Sequence, residues 1–289
     1  MQTNSDRLVQ IAVAGQVAFA RSYGPWEISQ GGKAFMYPSV GGISYNAKIG
    51  DLASGFQADH AEPGVTIRRK DNLENGGLNT LACVGNTATV SSGDAKGARG
   101  YVTGKHGGVE HVLIWFDQDT LEKLGPDDTI QIKSWGTGLA IDEMPDIQCK
   151  NLDPDLLAKM NLHIRSGVLE VPVAATVPAQ LMGSGMGSAT AHRGDYDIMT
   201  ADIQAYSKYG LDKLRLGDIV LLQDCDTTFG RGYLEGAATI GVIVHSDCLL
   251  AGHGPGVTTL LTCKTPKIRG IQDSKANIGS YLGILREGN

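Results

Sequence analysis

Short runs of Val, Ile and Thr recur along the chain, each roughly four to eight residues long and bounded by Gly, Asp or Pro. GVTIRR, ATVSS, GYVTG, EHVLIWF, TIQIKS, VLEVPVAA, LRLGDIVLLQ, ATIGVIVHS and GVTTLLTCK all have this form. They predict many short strands. Helical patterning is scarce. NLDPDLLAKMNL places Asp153 as an N-cap, Pro154 at the first helical position, and Leu156, Leu157 and Met160 on one side. DIMTADIQAYSKYGL predicts a second helix stopping at Gly210, and FDQDTLEKLG a third ending at Gly125. The expected fold class is mainly β (α+β), with β-barrel or sandwich-like halves and a few short helices.

WGTGLAIDEMPDIQCKNLDPDLLAKM mixes polar and turn residues, and it reads as the link between two halves. The expected domains are residues 1–150 and 151–289, both β-rich, the second carrying most candidate site residues. No period of roughly 20–50 residues is visible, which excludes repeat architectures.

Composition sharpens this picture. The 39 glycines exceed the usual share of about 7%, and glycine is costly inside helices, so turns between strands are the cheaper use for them. The net charge of −6 argues against nucleic acid and anionic membranes as partners. IRRK, at residues 67–70, reads as a solvated loop. Five cysteines, an odd number without a CxxC spacing, argue against disulfides and a thiolate zinc site. The apolar stretch near the start follows Asp6 and Arg7 and lacks a clear cleavage pattern, so no secretory leader is expected. No apolar run approaches the ~18 residues of a membrane span. A cytoplasmic protein, a homo-oligomer acting on a small-molecule substrate, is expected.

Three stretches carry candidate chemistry. In SGDAKGARGYVTGKHGG, a Walker loop is excluded because position 99 is Arg and position 106 is His. Asp94, Lys96, Lys105 and His106 remain, either as substrate-binding groups on glycine-rich turns or as solvated charges. In GSGMGSATAHRGDYDI, His192 with Asp195 and Asp197 is a partial ligand set for a divalent cation, or else a capping turn. In the third stretch, Asp224 and Asp226 leave a strand two residues apart and would share a face if it continued. Glu235 follows, and then HSDCLLAGHGPGVTT delivers His245, Asp247, Cys248, Gly252, His253 and Gly254 at the mouth of a buried strand.

On SGDAKGARGYVTGKHGG, LAIDEMPDI and VHSDCLLAGHGPGVTTL, the whole chain resembles a family of bacterial and archaeal proteins catalogued as a domain of unknown function. From His192 onward it also resembles the acetamidase/formamidase family. HRGDYD supplies His192, Gly194 and Asp197; DCD supplies Asp224, with Asp226 where that family has His; FGRGYLEG supplies Gly230 and Gly232. Arg231 and Tyr233 depart from its acidic residues.

The leading expectation is a metal-assisted hydrolase of a small amide, lactam or related C–N bond. His192, Asp197, Asp226 and His245 would hold a divalent metal ion (Zn or similar). Asp224, Glu235 or Asp247 would be the general base, and Lys105 with glycine amides would stabilise the oxyanion. Asp94, His106, Cys248, Gly252, His253 and Gly254 would line the substrate pocket. Two other readings stay open: a cofactor-free isomerase or lyase using Cys248 with a histidine or aspartate, and a non-catalytic binding or assembly protein. The leading reading requires the chain around residues 192 and 245 to meet in one pocket.

Overall fold

The computed structural model describes residues 1–22 and 24–285. In the first half, six antiparallel strands close on themselves. Ile11–Val17 pairs with Thr129–Ser134, and the ring continues through Thr87–Val90, Arg99–His106, His111–Trp115 and Gly64–Arg68. It is sealed where Gln16 and Val17 pair with Arg68 and Ile67. A two-residue edge strand, Ile43–Ser44, pairs with Gly64–Arg68 at the end of this sheet. Alternation fills the interior. In TIQIKS, Ile130 and Ile132 are buried and Gln131 and Lys133 are exposed. Val65, Ile67, Val112 and Ile114 meet them from other strands.

The second half is built on a five-stranded sheet. Its order is Gln148–Cys149, Gly256–Cys263, Gly232–His245, Ile219–Asp226 and Ala175–Val177, with only the last pair parallel. Every residue of GVTTLLTC in Gly256–Cys263 is buried, the mark of a strand covered on both faces. A three-stranded sheet (His163–Arg165, Val168–Val173, Ile268–Gln272) packs beside it. Helices are few and short: Asn72–Leu81, Gln118–Leu121, Pro154–Lys159, Ile203–Lys208 and Ile278–Leu282. The protein is therefore mainly β, with a closed barrel in its first half. None of the described helices is long and apolar enough to cross a membrane.

The halves touch where the barrel strand Arg99–His106 crosses the second sheet. Lys105 N donates to Thr258 Oγ1 at 3.1 Å, and that hydroxyl donates back to the Lys105 carbonyl at 3.0 Å. At Gly104 a Cβ would fall 2.2 Å from Val244 Cγ1, so glycine there is what allows the approach. This contact brings the end of one barrel strand, His106, against the end of a sheet strand, His245.

Candidate functional site

His106 and His245 stack with ring centroids 4.2 Å apart. His60, from the loop before the Gly64–Arg68 strand, and His253, from the GHGPG turn, complete a group of four imidazoles. His106 is paired across its hairpin with His111, so both rings rise from one face. Glu62 sits between them, 2.5 Å from His106 Nδ1 and 3.0 Å from His111 Nδ1, and it also accepts from the Gly41 amide. Burial works against a charged Glu62, yet His111 and His106 hold its carboxyl well below the usual carboxylate range.

Two carboxylates face the imidazoles. Residues 196–198 run extended beside residues 255–257, through Val257 N to the Tyr196 carbonyl and Ile198 N to the Pro255 carbonyl. Side chains two apart on extended backbone share a side, so Asp195 and Asp197 point together. Like charges so placed repel unless cations intervene, and here the histidines intervene. Asp195 Oδ2 is 2.5 Å from His245 Nε2, while its Oδ1 accepts from the Gly107 amide at 2.8 Å. Asp197 reaches three rings: His253 Nδ1 at 2.9 Å, His60 Nε2 at 3.6 Å and His245 Nε2 at 3.6 Å. Burial disfavours the His245 imidazolium, but Asp195 overcomes it and raises the ring to about 10. His60 is raised in the same way, against burial, by Asp197 and Asp59.

The outer nitrogens are also held. His106 Nδ1 is on Glu62, His245 Nδ1 is 2.8 Å from the Ser246 carbonyl, and His60 Nδ1 is 2.9 Å from Asp59 Oδ1, an ion contact without hydrogen-bond alignment. Fixing one ring nitrogen turns the other inward as a ligand. His106, Asp195 and His245 offer three ligand atoms within 4.8 Å of one another, and so do His60, Cys248 and His253. Asp197 lies between the two sets. At bond lengths near 2.05 Å, two nitrogens on one tetrahedral zinc sit roughly 3.3–3.4 Å apart. The 3.1 Å between His60 Nε2 and His253 Nδ1 is close to that spacing. Imidazole and carboxylate donors suit a borderline divalent ion such as zinc.

The cluster forms one wall of a cavity of about 480 Å³, within the usual range for small-molecule pockets. Glu110, Ser184, Gly185, Arg193 and Arg231 contribute to the remaining walls.

Of the residues singled out in the sequence, His106, Asp195, Asp197, His245, Cys248 and His253 meet here. Gly252 accepts from Ser184 N through its carbonyl, and Gly254 packs against Ile198, where a Cβ would fall 1.8 Å from the Ile198 carbonyl; both shape the turn that carries His253. His192 lies apart. It is half-buried, does not line the cavity, and is lowered by burial and by Lys150 and Lys105. Asp226 caps its own turn, accepting from Thr228 N and Oγ1. A bulge interrupts the strand at Asp224, whose φ is +54°, so Asp224 and Asp226 do not continue as a same-face pair; Asp224 accepts from Gly236 N. Glu235 is exposed on the strand leaving that bulge. The Asp247 carboxylate turns to Gly55 N, because the strand ends at His245 and alternation ends with it. Asp94 is exposed on the turn before Arg99–His106, at the opposite end of that strand from His106. Lys105, adjacent to His106 in a strand, faces the other way. Its fully buried amine donates to Asn151 Oδ1 and the His192 carbonyl, and burial lowers it to about 8. His60, Glu62 and His111 were not among the sequence candidates. The signal available for His60 and Glu62 was DHAE directly before a buried strand.

The chain is similar to TM1086, whose crystal structure aligns with a TM-score of 0.93 and 46% sequence identity, over 97% of this chain and 99% of that one. No curated protein matches. Family models match residues 26–158, as "Domain of unknown function (DUF4438), N-terminal", and residues 159–282, as "Domain of unknown function (DUF4438), C-terminal". Neither match supports the acetamidase/formamidase resemblance. With both regions matched in sequence order, the chain belongs to the DUF4438 family.

Proposed function

We propose that this protein is a metal-dependent hydrolase that cleaves an amide, lactam or related C–N bond in a small polar substrate. One observation carries the reading. Three imidazoles (His60, His106 and His253) and two carboxylates line one cavity wall, a fourth ring, His245, is buried directly behind them, and three of the four rings have their outer nitrogen held by Glu62, Asp59 or a carbonyl. A core has no use for such a set, because burying charged groups is costly unless they do something the fold cannot do otherwise.

His106, Asp195 and His245 would hold one divalent ion. His60, His253 and Cys248 offer a second position, with Asp197 shared between the two. A bound ion supplies a water acidified from near 16 towards ~7, and it polarises a carbonyl. The chain's own groups do the remainder. Glu62, the Ser246 carbonyl and Asp59 fix the orientations of the His106, His245 and His60 rings. Glu110, whose carboxylate has no hydrogen-bond or ion-pair partner among the described residues, stands on the cavity wall where a proton can be accepted or returned. Ser184 and the Gly107–Gly108 turn line the space for the substrate.

The test is elemental analysis of purified protein, followed by turnover of an amide and lactam panel before and after chelation. We expect a transition metal at one or two ions per chain and activity that returns on adding metal back. His245→Ala should lose the metal. Absence of bound metal together with chelator-resistant turnover would remove the reading. Turnover abolished by alkylating Cys248, with metal retained, would favour a proton-transfer isomerase instead.

A further inference from the structure

We propose that the cavity selects substrates bearing a carboxylate, and that Arg231 is its seat. The inference rests on the hydrolase reading only for which end of the substrate faces the cluster.

Arg231 is 6% exposed and lines the cavity. Its backbone is clamped, with Arg231 N donating to the Ser188 carbonyl at 2.9 Å and Gly187 N donating to the Arg231 carbonyl at 2.9 Å. The guanidinium is incompletely used. Nη2 donates to the Arg193 carbonyl at 2.7 Å and the guanidinium carbon lies 5.9 Å from the Tyr196 ring centroid; among the described residues Nε is buried with no hydrogen-bond partner and Nη1 makes no hydrogen bond. Among the described residues no carboxylate forms an ion pair with it. Burial disfavours its charge, and the groups that favour it, Asp195, Tyr196, Asp197 and Glu110, act only from a distance; the carboxylates of Asp195 and Asp197 are already engaged by His245, His253 and the Gly107 amide. A buried guanidinium without a counter-ion is unfavourable, and an arriving anion reverses that. At Gly185, where φ is +86°, a Cβ would fall 2.8 Å from the Asp195 carbonyl and 3.1 Å from Nη1, so any side chain there would also crowd the guanidinium.

The choice of anion follows from geometry and charge. A guanidinium edge matches the two oxygens of a carboxylate. Phosphate would bring up to two negative charges towards Asp195, Asp197 and Glu110, and like charges at short range are penalised. A monoanion fits the site better.

The experiment compares matched probes on the metal-loaded protein by calorimetry: N-acetyl derivatives of glycine, alanine and glutamate, and the same compounds with the α-carboxylate converted to the carboxamide. We expect the best acid to bind about 10- to 100-fold more tightly than its amide, the range for losing a charged hydrogen-bonded pair. Arg231→Gln should erase that difference with metal content unchanged, and Arg231→Lys should keep part of it. Should Arg231→Gln fail to fold, the wild-type comparison decides alone. Equal binding of acid and amide, failure of every acid to bind, or tighter binding of inorganic phosphate than of the acids would overturn the proposal. Carboxylate preference in a protein that holds no metal would sink the hydrolase reading and leave the seat standing. Metal-dependent cleavage without carboxylate preference would do the reverse.

Discussion

A Cβ built on Gly256 would fall 2.0 Å from Asp195 Oδ2 and 2.2 Å from His245 Nε2. The Gly256 backbone does not require glycine, since its φ is not positive. What requires it is the Asp195–His245 contact. Gly256→Ala is therefore expected to leave secondary structure intact, to cost about 1–3 kcal/mol through overpacking, and to lower metal occupancy sharply. Circular dichroism with elemental analysis reads both effects, and full metal content in the variant would refute this account of the glycine. Residue chemistry was legible where it clustered in sequence. HSDCLLAGHGPG displays His245, Cys248 and His253 together, and HRGDYD displays Asp197. It was hidden where a ligand stood alone. His60 lies in ADHAEPG, whose polar and turn-forming residues read as a connection, and its φ of +55° is a backbone feature that sequence does not advertise. Asp224 and Asp226 misled for a related reason. The two-residue spacing implies a shared face only if the strand runs on, and a bulge breaks it.

Elements were more legible than the site. Val, Ile and Thr runs located most strands, and Asp153 with Pro154 located a helix; its carboxylate caps Asp155 N and Leu156 N. Several elements escaped, among them the short strand Ile268–Gln272 and the helix Ile278–Leu282, and two of them show why. The first strand, IAVAGQV, has small residues and no polar alternation. The helix Asn72–Leu81, NLENGGLNTL, contains two central glycines and only three apolar residues, so neither periodicity nor propensity marks it. Tertiary packing through Leu78, and Asp71 capping the Leu73 and Glu74 amides, make it helical all the same. Glycine there is a cost rather than a need. A Cβ at Gly77 would meet nothing within 4 Å. Gly77→Ala should stabilise the protein by about 0.5–1 kcal/mol, read as a higher denaturant midpoint at unchanged slope. Destabilisation would mean that this helix moves or docks against something at that face.

Barrel closure and the meeting of the halves belong to the whole molecule, and no local pattern encodes them. Closure depends on Gln16 and Val17 finding Arg68 and Ile67 some fifty residues later. The cluster depends on residue 60 and the hairpin at 106–111 finding residues 195–197, 245 and 253. Ligands drawn from both halves have a thermodynamic consequence. An unfolded chain cannot present them together, so a metal binds the native state and shifts unfolding by mass action. At free metal about 100-fold above its dissociation constant the gain is about 2.7 kcal/mol. At roughly 2–4 °C per kcal/mol for a chain approaching this size, that is a rise of about 5–10 °C in Tm. Chelator should remove the rise. His106→Ala, which removes one of the two ligands from the first half (His60 is the other) while leaving Asp195, Asp197, His245, Cys248 and His253 from the second, should shrink it markedly. If the two halves are joined as the Lys105–Thr258 contact indicates, the metal should raise one cooperative transition. Two transitions, of which metal moves only the second half's, would show that the barrel contributes nothing to the centre and that the cavity between them is not the working site.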